Sequence, residues 1–100
     1  MIARPTRLAD PDISARLKTL SGWSLEAGKL HKVFTFTDFV EAWSFMSAVA
    51  LRAEAMGHHP EWSNVWNRVT VDLSTHDAGG ITALDFDLAT HMNAAAARRG

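Results

Sequence analysis

Along the chain the apolar positions switch repeatedly between a helical and an extended period, and the switches mark out helix, hairpin, helix, hairpin and helix. Asp10-Pro11 is a helix start, a capping side chain followed by proline at the first helical position. Ile13, Leu17 and Leu20 then repeat at helical spacing until Gly22. Trp23 to Glu26 and Lys29 to Thr37 are rich in aromatic and β-branched residues and join through Ala27-Gly28 as a hairpin. Alternation along the second arm sets Leu30, Phe34 and Phe36 on one side and His31, Val33 and Thr35 on the other.

From Asp38 the period becomes helical again. Phe39, Ala42, Trp43, Met46, Val49, Ala50, Ala53 and Met56 are spaced 3, 1, 3, 3, 1, 3 and 3, one continuous apolar stripe. Asp38 with Glu41 resembles a capping box, and Gly57 suits the left-handed residue that ends a helix, so the spacing predicts a helix from about Phe39 to Met56. A second hairpin follows, Trp62 to Trp66 and Val69 to Thr75, turned at Asn67-Arg68, with Val69, Val71 and Leu73 on the buried face. After Gly79-Gly80, Thr82 and Asp85 form another capping box. Leu84, Leu88, Met92 and Ala95 carry the last stripe.

These elements predict an α+β domain spanning residues 1–100: a four-stranded antiparallel sheet with three helices packed on one face, in the order α-β-β-α-β-β-α. The other face and the sheet edges are then thinly covered, which points to self-association. Trp23 and Trp43 are expected in the core. Trp62 and Trp66 share a strand face opposite Val65, where core, pocket and interface all remain open.

Composition narrows the function classes. A chain of 100 residues with 47% hydrophobic and 21% charged residues is an ordinary globular domain rather than a disordered or repetitive one. A net charge of -1 lacks the basic footprint of a nucleic-acid binder or of adhesion to a membrane surface. The absence of cysteine excludes disulfides, thiolate metal sites and cysteine nucleophiles, and suits a reducing compartment. Met1 to Asp12 holds no apolar run fit for a signal peptide, and no window approaches the roughly 20 apolar residues of a membrane span. The expected location is cytoplasmic.

Histidine is the residue that carries candidate chemistry. Of five, His58, His59 and His76 lie at joints beside Gly57, Pro60, Asp77 and Gly79, where sites tend to sit. Three readings compete. The histidines can be surface residues that fall close together; they can hold a zinc ion with one open position; or they can move protons at neutral pH without a cofactor. Against the metal stands geometry, because His58 and His59 are adjacent and in an extended segment point to opposite sides.

The pattern Glu54, three residues, His58-His59-Pro60, five residues, Trp66, nine residues, His76, eight residues, Asp85 resembles the signature of the pterin-4a-carbinolamine dehydratases. The resemblance extends to Glu61-Trp62, Asn64-Val65, Ser74-Thr75 and the Trp43 to Glu54 helix, and covers most of the chain from Trp23 onward. It implies the same α+β fold. It also implies dehydration of 4a-hydroxytetrahydrobiopterin to quinonoid dihydropterin, the step that recycles the cofactor of aromatic amino acid hydroxylases, with no metal or organic cofactor. Carried onto this chain, His58, His59 and His76 become the acid–base and hydroxyl-contacting set. Gly57, Pro60, Ser74, Thr75 and Asp77 line the pterin pocket with them, Glu54 orients a histidine or a ring nitrogen, and Asp85 supports the site, although its place three residues after Thr82 also explains it as a cap. Animal relatives tend to have an acidic residue where Gly57 stands, which leaves only a backbone contact there. The resemblance further implies a homodimer or homotetramer, with the Lys29 to Thr37 edge extending the sheet across a two-fold axis. Two alternatives stay open: a pterin-binding or dimerisation module for a transcription factor, and a role in molybdopterin metabolism.

Overall fold

Register decides which side chains share a face, so strand pairing determines where a core can form. The structure, a computed structural model, describes residues 5–99. Its elements are α1 (Asp10–Leu17), β1 (Ser24–Glu26), β2 (Lys29–Thr35), α2 (Phe39–Met56), β3 (Glu61–Val65), β4 (Arg68–Leu73) and α3 (Ala83–Ala97), with a 3-10 turn at His76–Ala78. Every strand pair is antiparallel and the sheet order is β1-β2-β4-β3, so the order of elements matches the sequence reading.

In the central β2–β4 pair Leu30 faces Leu73 and Phe34 faces Val69. These four are buried, with Val71, on the face that receives Ile13 of α1, Phe45 and Val49 of α2, and Leu88 and Met92 of α3. The opposite face pairs His31 with Asp72 and Val33 with Thr70, and no helix among the described residues covers it. Each buried Phe, Leu or Val contributes about 1.5–3 kcal/mol by leaving water, so this one-sided layer is what holds the domain together. No helix among the described residues is long and apolar enough to cross a membrane.

Several expectations need correction. α1 ends at Leu17 rather than continuing to Gly22, and its N-cap is Ala9, with Asp10 already helical. Beyond Leu17 the backbone closes tighter turns, Thr19 N–H to Arg16 O and Leu20 N–H to Leu17 O, and these bring Leu20 and then Trp23 into the core. On α2 the buried stripe is Ala42, Phe45, Val49 and Ala53; Trp43, expected in the core, is 56% exposed. The helix carries apolar residues on more than one side, and Phe45 fits between Phe34 and Phe36, with ring centroids 4.7 and 5.0 Å away. The second hairpin turns at Trp66-Asn67 rather than Asn67-Arg68. Asn67 is engaged elsewhere, its backbone and side-chain amide both bonded to Phe36, while the Asn64 amide donates to the Trp66 and Arg68 carbonyls and holds Trp66 at a left-handed φ of 49°. Val65 is exposed on the open face, so it is Trp62 that turns inward and packs against the core, while Trp66 stands 63% exposed at the turn. β2, expected at an edge, lies inside the sheet. β1 is three residues long and pairs only with Lys29–His31, which leaves Lys32–Thr35 without a neighbour on that side among the described strands.

The two aromatic positions on α2 give opposite expectations. Phe45→Ala empties a fully buried site and lowers unfolding free energy by about 3–5 kcal/mol, whereas Trp43→Ala costs less than about 1 kcal/mol in dilute solution. Urea denaturation of both variants measures this, and equal losses would overturn the assignment of the core stripe.

Candidate active site

Two helix-terminating glycines aim the chain toward the site. At the end of α2, Gly57 takes φ 65°, its N–H donates to Glu54 O at 3.1 Å and the His58 N–H donates to Ala53 O at 3.0 Å, a double bond pattern that stops the helix and turns the chain outward. His58 and His59 then leave in an extended segment closed by Pro60. On the other side, β4 ends at Leu73, and Thr75 is held by Gly80 through a two-way backbone bridge, Thr75 N–H to Gly80 O at 2.8 Å and Gly80 N–H to Thr75 O at 3.3 Å. The loop so pinched is the 3-10 turn that begins at His76 and is terminated by Gly79, φ 74°.

The two joints meet. A cleft of about 290 Å³ is lined by Gly57, His58, His59 and Glu61 on one wall and Ser74, Thr75, His76 and Asp77 on the other. The adjacent histidines do point apart, and each is held at Nε2 by a different carboxylate. His58 is buried, with Nε2 2.6 Å from Asp85 Oδ1. His59 is 64% exposed, with Nε2 2.9 Å from Glu54 Oε1 one helical turn back. A carboxylate accepts, so in the neutral rings Nε2 carries the proton and Nδ1 is left as the acceptor.

Asp85 does two jobs. It completes the cap of α3, Oδ2 accepting the Thr82 N–H at 2.9 Å, while Leu84 N–H donates to Thr82 Oγ1. The same carboxylate accepts from Thr75 Oγ1 at 2.8 Å and faces His58 with its other oxygen. It has no solvent exposure, and no buried side-chain polar atom among the described residues lacks a partner. The cap of α3 and the contact with His58 are therefore one structure.

Of the residues singled out from sequence, seven line the cleft: Gly57, His58, His59, Ser74, Thr75, His76 and Asp77. Glu54 and Asp85 stand behind histidines, and Pro60 lies outside the lining, as the hinge into β3. Sequence reasoning did not assign Glu61 to the site. The signal was available: as the first residue of β3 on the open face, it follows directly from the His-His-Pro segment. Its carboxylate bonds Lys29 across the sheet and holds that ammonium above the ordinary lysine pKa. Among the described residues, no group of three His, Asp or Glu is placed to hold a metal ion.

The arrangement offers proton donors and acceptors on two sides of a polar slot. The sequence matches the family model described as Pterin 4 alpha carbinolamine dehydratase over residues 6–95. It is 54% identical over 92 residues to a candidate pterin-4-alpha-carbinolamine dehydratase of Solibacter usitatus, covering 92% of this chain and 97% of that protein. A similarly named protein of Rhizobium johnstonii is 55% identical over 94 residues, 92% of this chain and 93% of its own. Among solved structures, a transcriptional coactivator/pterin dehydratase from Brucella melitensis superposes with a TM-score of 0.88 at 43% identity, over 91% of this chain and 99% of that one. On the strength of near full-length agreement in sequence and fold, this chain belongs to the pterin 4 alpha carbinolamine dehydratase family.

Proposed function

We propose that the histidine cleft binds a 4a-hydroxytetrahydropterin and dehydrates it to the quinonoid dihydropterin. The observation that carries this reading is the convergence of His58, His59 and His76 on one cleft from two separate joints, two of them fixed in orientation by carboxylates. The elimination breaks the C4a–O bond. The departing hydroxyl takes a proton and leaves as water, a ring N–H gives up its proton, and the electron pair left behind forms the new ring double bond. A histidine suits each transfer, since imidazole both gives and takes protons near neutral pH, and such a group is worth on the order of 10²–10⁴-fold in rate. Ser74, Thr75 and Asp77 at the end of β4 offer short polar groups and backbone amides to the edge of a flat heterocycle. Gly57 offers only backbone. Asp85 and Glu54 act through the histidines they hold. Water loss is redox-neutral and the substrate already carries an oxygen at C4a, so the reaction belongs after an oxygenase that uses the reduced pterin, such as an aromatic amino acid hydroxylase.

Assembly is part of the same proposal. α2 leaves Val40, Trp43 and Leu51 exposed, and Lys32–Thr35 of β2 has an open edge, both of which a homodimer or homotetramer would cover. Light scattering at micromolar concentration is expected to give a mass above that of one chain.

Stopped-flow absorbance on chemically generated 4a-hydroxytetrahydropterin tests the activity. Wild type is expected to accelerate water loss, and His59→Ala and His76→Ala, both at exposed positions that tolerate substitution, to lose about 10²-fold or more while remaining folded. A spontaneous rate unchanged by folded wild type overturns the proposal. For the supporting carboxylate, ¹⁵N NMR of the neutral His58 ring is expected to show the proton on Nε2, and Asp85→Ala to cost about 3–5 kcal/mol by stranding the groups around it. A proton on Nδ1 would contradict the Asp85 contact.

A further inference from the structure

The histidine cleft does not end at His76. It shares Ser74, Thr75 and His76 with a second hollow of about 370 Å³, closed on its far side by Ala27, Gly28 and Lys29 of the first hairpin and by Gly79 and Gly80. That hollow in turn shares Gly28, Gly79 and Gly80 with a third of about 170 Å³, which is bordered by Arg7 and Asp10. Adjoining through these shared residues, the three hollows make a row, or trough, from the histidines to Arg7. The residues shared by the second and third hollows are all glycines, Gly28, Gly79 and Gly80.

Arg7 is built into the far end. The Leu8 N–H donates to Ile81 O at 2.9 Å and ties the segment before α1 alongside Gly80. The Arg7 side chain lies directly on Gly80: a Cβ added there would stand 2.7 Å from Arg7 Nε and 2.8 Å from Cδ. Gly80 is bonded both ways to Thr75, which lines the histidine cleft, so the guanidinium sits one backbone neighbour away from the candidate active site. Its charge is poorly matched. Asp10 lies 3.4 Å away and is 87% exposed, a contact that solvent screens, and it is the one carboxylate among the residues lining the second and third hollows. Lys29, the other cation along the trough, is already bonded to Glu61.

We propose that the trough is a subsite for the substituent that the pterin ring carries at C6, and that Arg7 receives an oxyanion at the end of that substituent. The inference rests on the pterin reading of the histidine cleft and adds a substrate class to it: pterins with an extended anionic arm. A planar guanidinium pairs well with either a phosphate or a carboxylate, so the shared chemistry is the oxyanion.

Calorimetric titration of the full chain with stable 7,8-dihydropterins tests this. Four probes differ only at C6: a methyl group, a dihydroxypropyl chain, a phosphate ester of that chain, and an aminobenzoyl arm ending in glutamate. At low salt at least one anionic probe is expected to bind about tenfold tighter than the neutral ones, and which of the two does so identifies the oxyanion. Arg7→Gln is expected to abolish that advantage and leave the neutral probes unaffected. Gly80→Ala, at a position outside the left-handed region, is expected to remove the anionic advantage as well, by displacing the guanidinium while keeping its charge. Equal binding of anionic and neutral probes by wild type overturns the subsite alone, as does an anionic advantage that survives both substitutions. Binding of no probe overturns the subsite together with the pterin reading beneath it.

Discussion

A carboxylate removed entirely from water is unfavourable by several kcal/mol unless its charge and lone pairs are met by donors in good geometry. Asp85 meets that condition with His58 on one oxygen and Thr75 Oγ1 and the Thr82 N–H on the other. Those three donors come from the end of α2, the end of β4 and the start of α3. One buried carboxylate therefore ties together the ends of three elements, and the walls of the cleft are the chain that leaves those ends. Apolar packing of the helices on the sheet supplies most of the stability, but it is non-directional and does not by itself say where the joints fall. The carboxylate adds a directional tie between them.

Around that centre the chain changes direction over very few residues. Gly57 and Gly79 both take left-handed backbone, and in each case the turn sits beside a histidine that lines the cleft. A side chain at either position would meet no steric obstacle, since nothing lies within 4 Å of an added Cβ; what glycine supplies there is backbone freedom alone. Gly80 is the opposite case. Its backbone is ordinary, and its missing side chain makes room for Arg7.

The sequence pattern was most legible where one constraint acted alone. Strict alternation along β2 and β4 identified the buried face, because only one face of this sheet is covered, and the caps at Asp38, Gly57 and Thr82 located helix ends through backbone groups that need a partner whatever the fold. Legibility failed on α2, where Phe39, Trp43 and Phe45 all belong to some apolar stripe and the choice depends on the Phe34 and Phe36 rings waiting on β2. It failed again at Trp66-Asn67, where the turn is set by the bonds between Asn67 and Phe36, 31 residues apart. For the site, spacing and family resemblance singled out seven of the eight residues that line the cleft, all but Glu61. The resemblance named Asp85 as supporting the site, but the capping box at Thr82 already explained it locally and gave no hint that its partner is His58, 27 residues away. Lys29 and Arg7 carry no motif, and only the folded chain brings them to the extension of the cleft, whereas Glu61 follows directly from the His-His-Pro segment and falls within the resemblance.

The two histidine–carboxylate pairs differ in one respect that bears on turnover. An elimination that gives one proton and takes another consumes none overall, yet it leaves the donor deprotonated and the acceptor protonated, so the site must exchange protons before the next cycle. His59 and His76 stand in contact with solvent and can do this through water. His58 is shut away against Asp85, where its ring orientation is held and exchange is hindered. On the proposed chemistry, the buried pair keeps the frame and the exposed histidines restore the protons. Such a division requires that one partner of each adjacent pair face inward and the other outward, and an extended His58-His59 segment stiffened by Pro60 imposes that alternation.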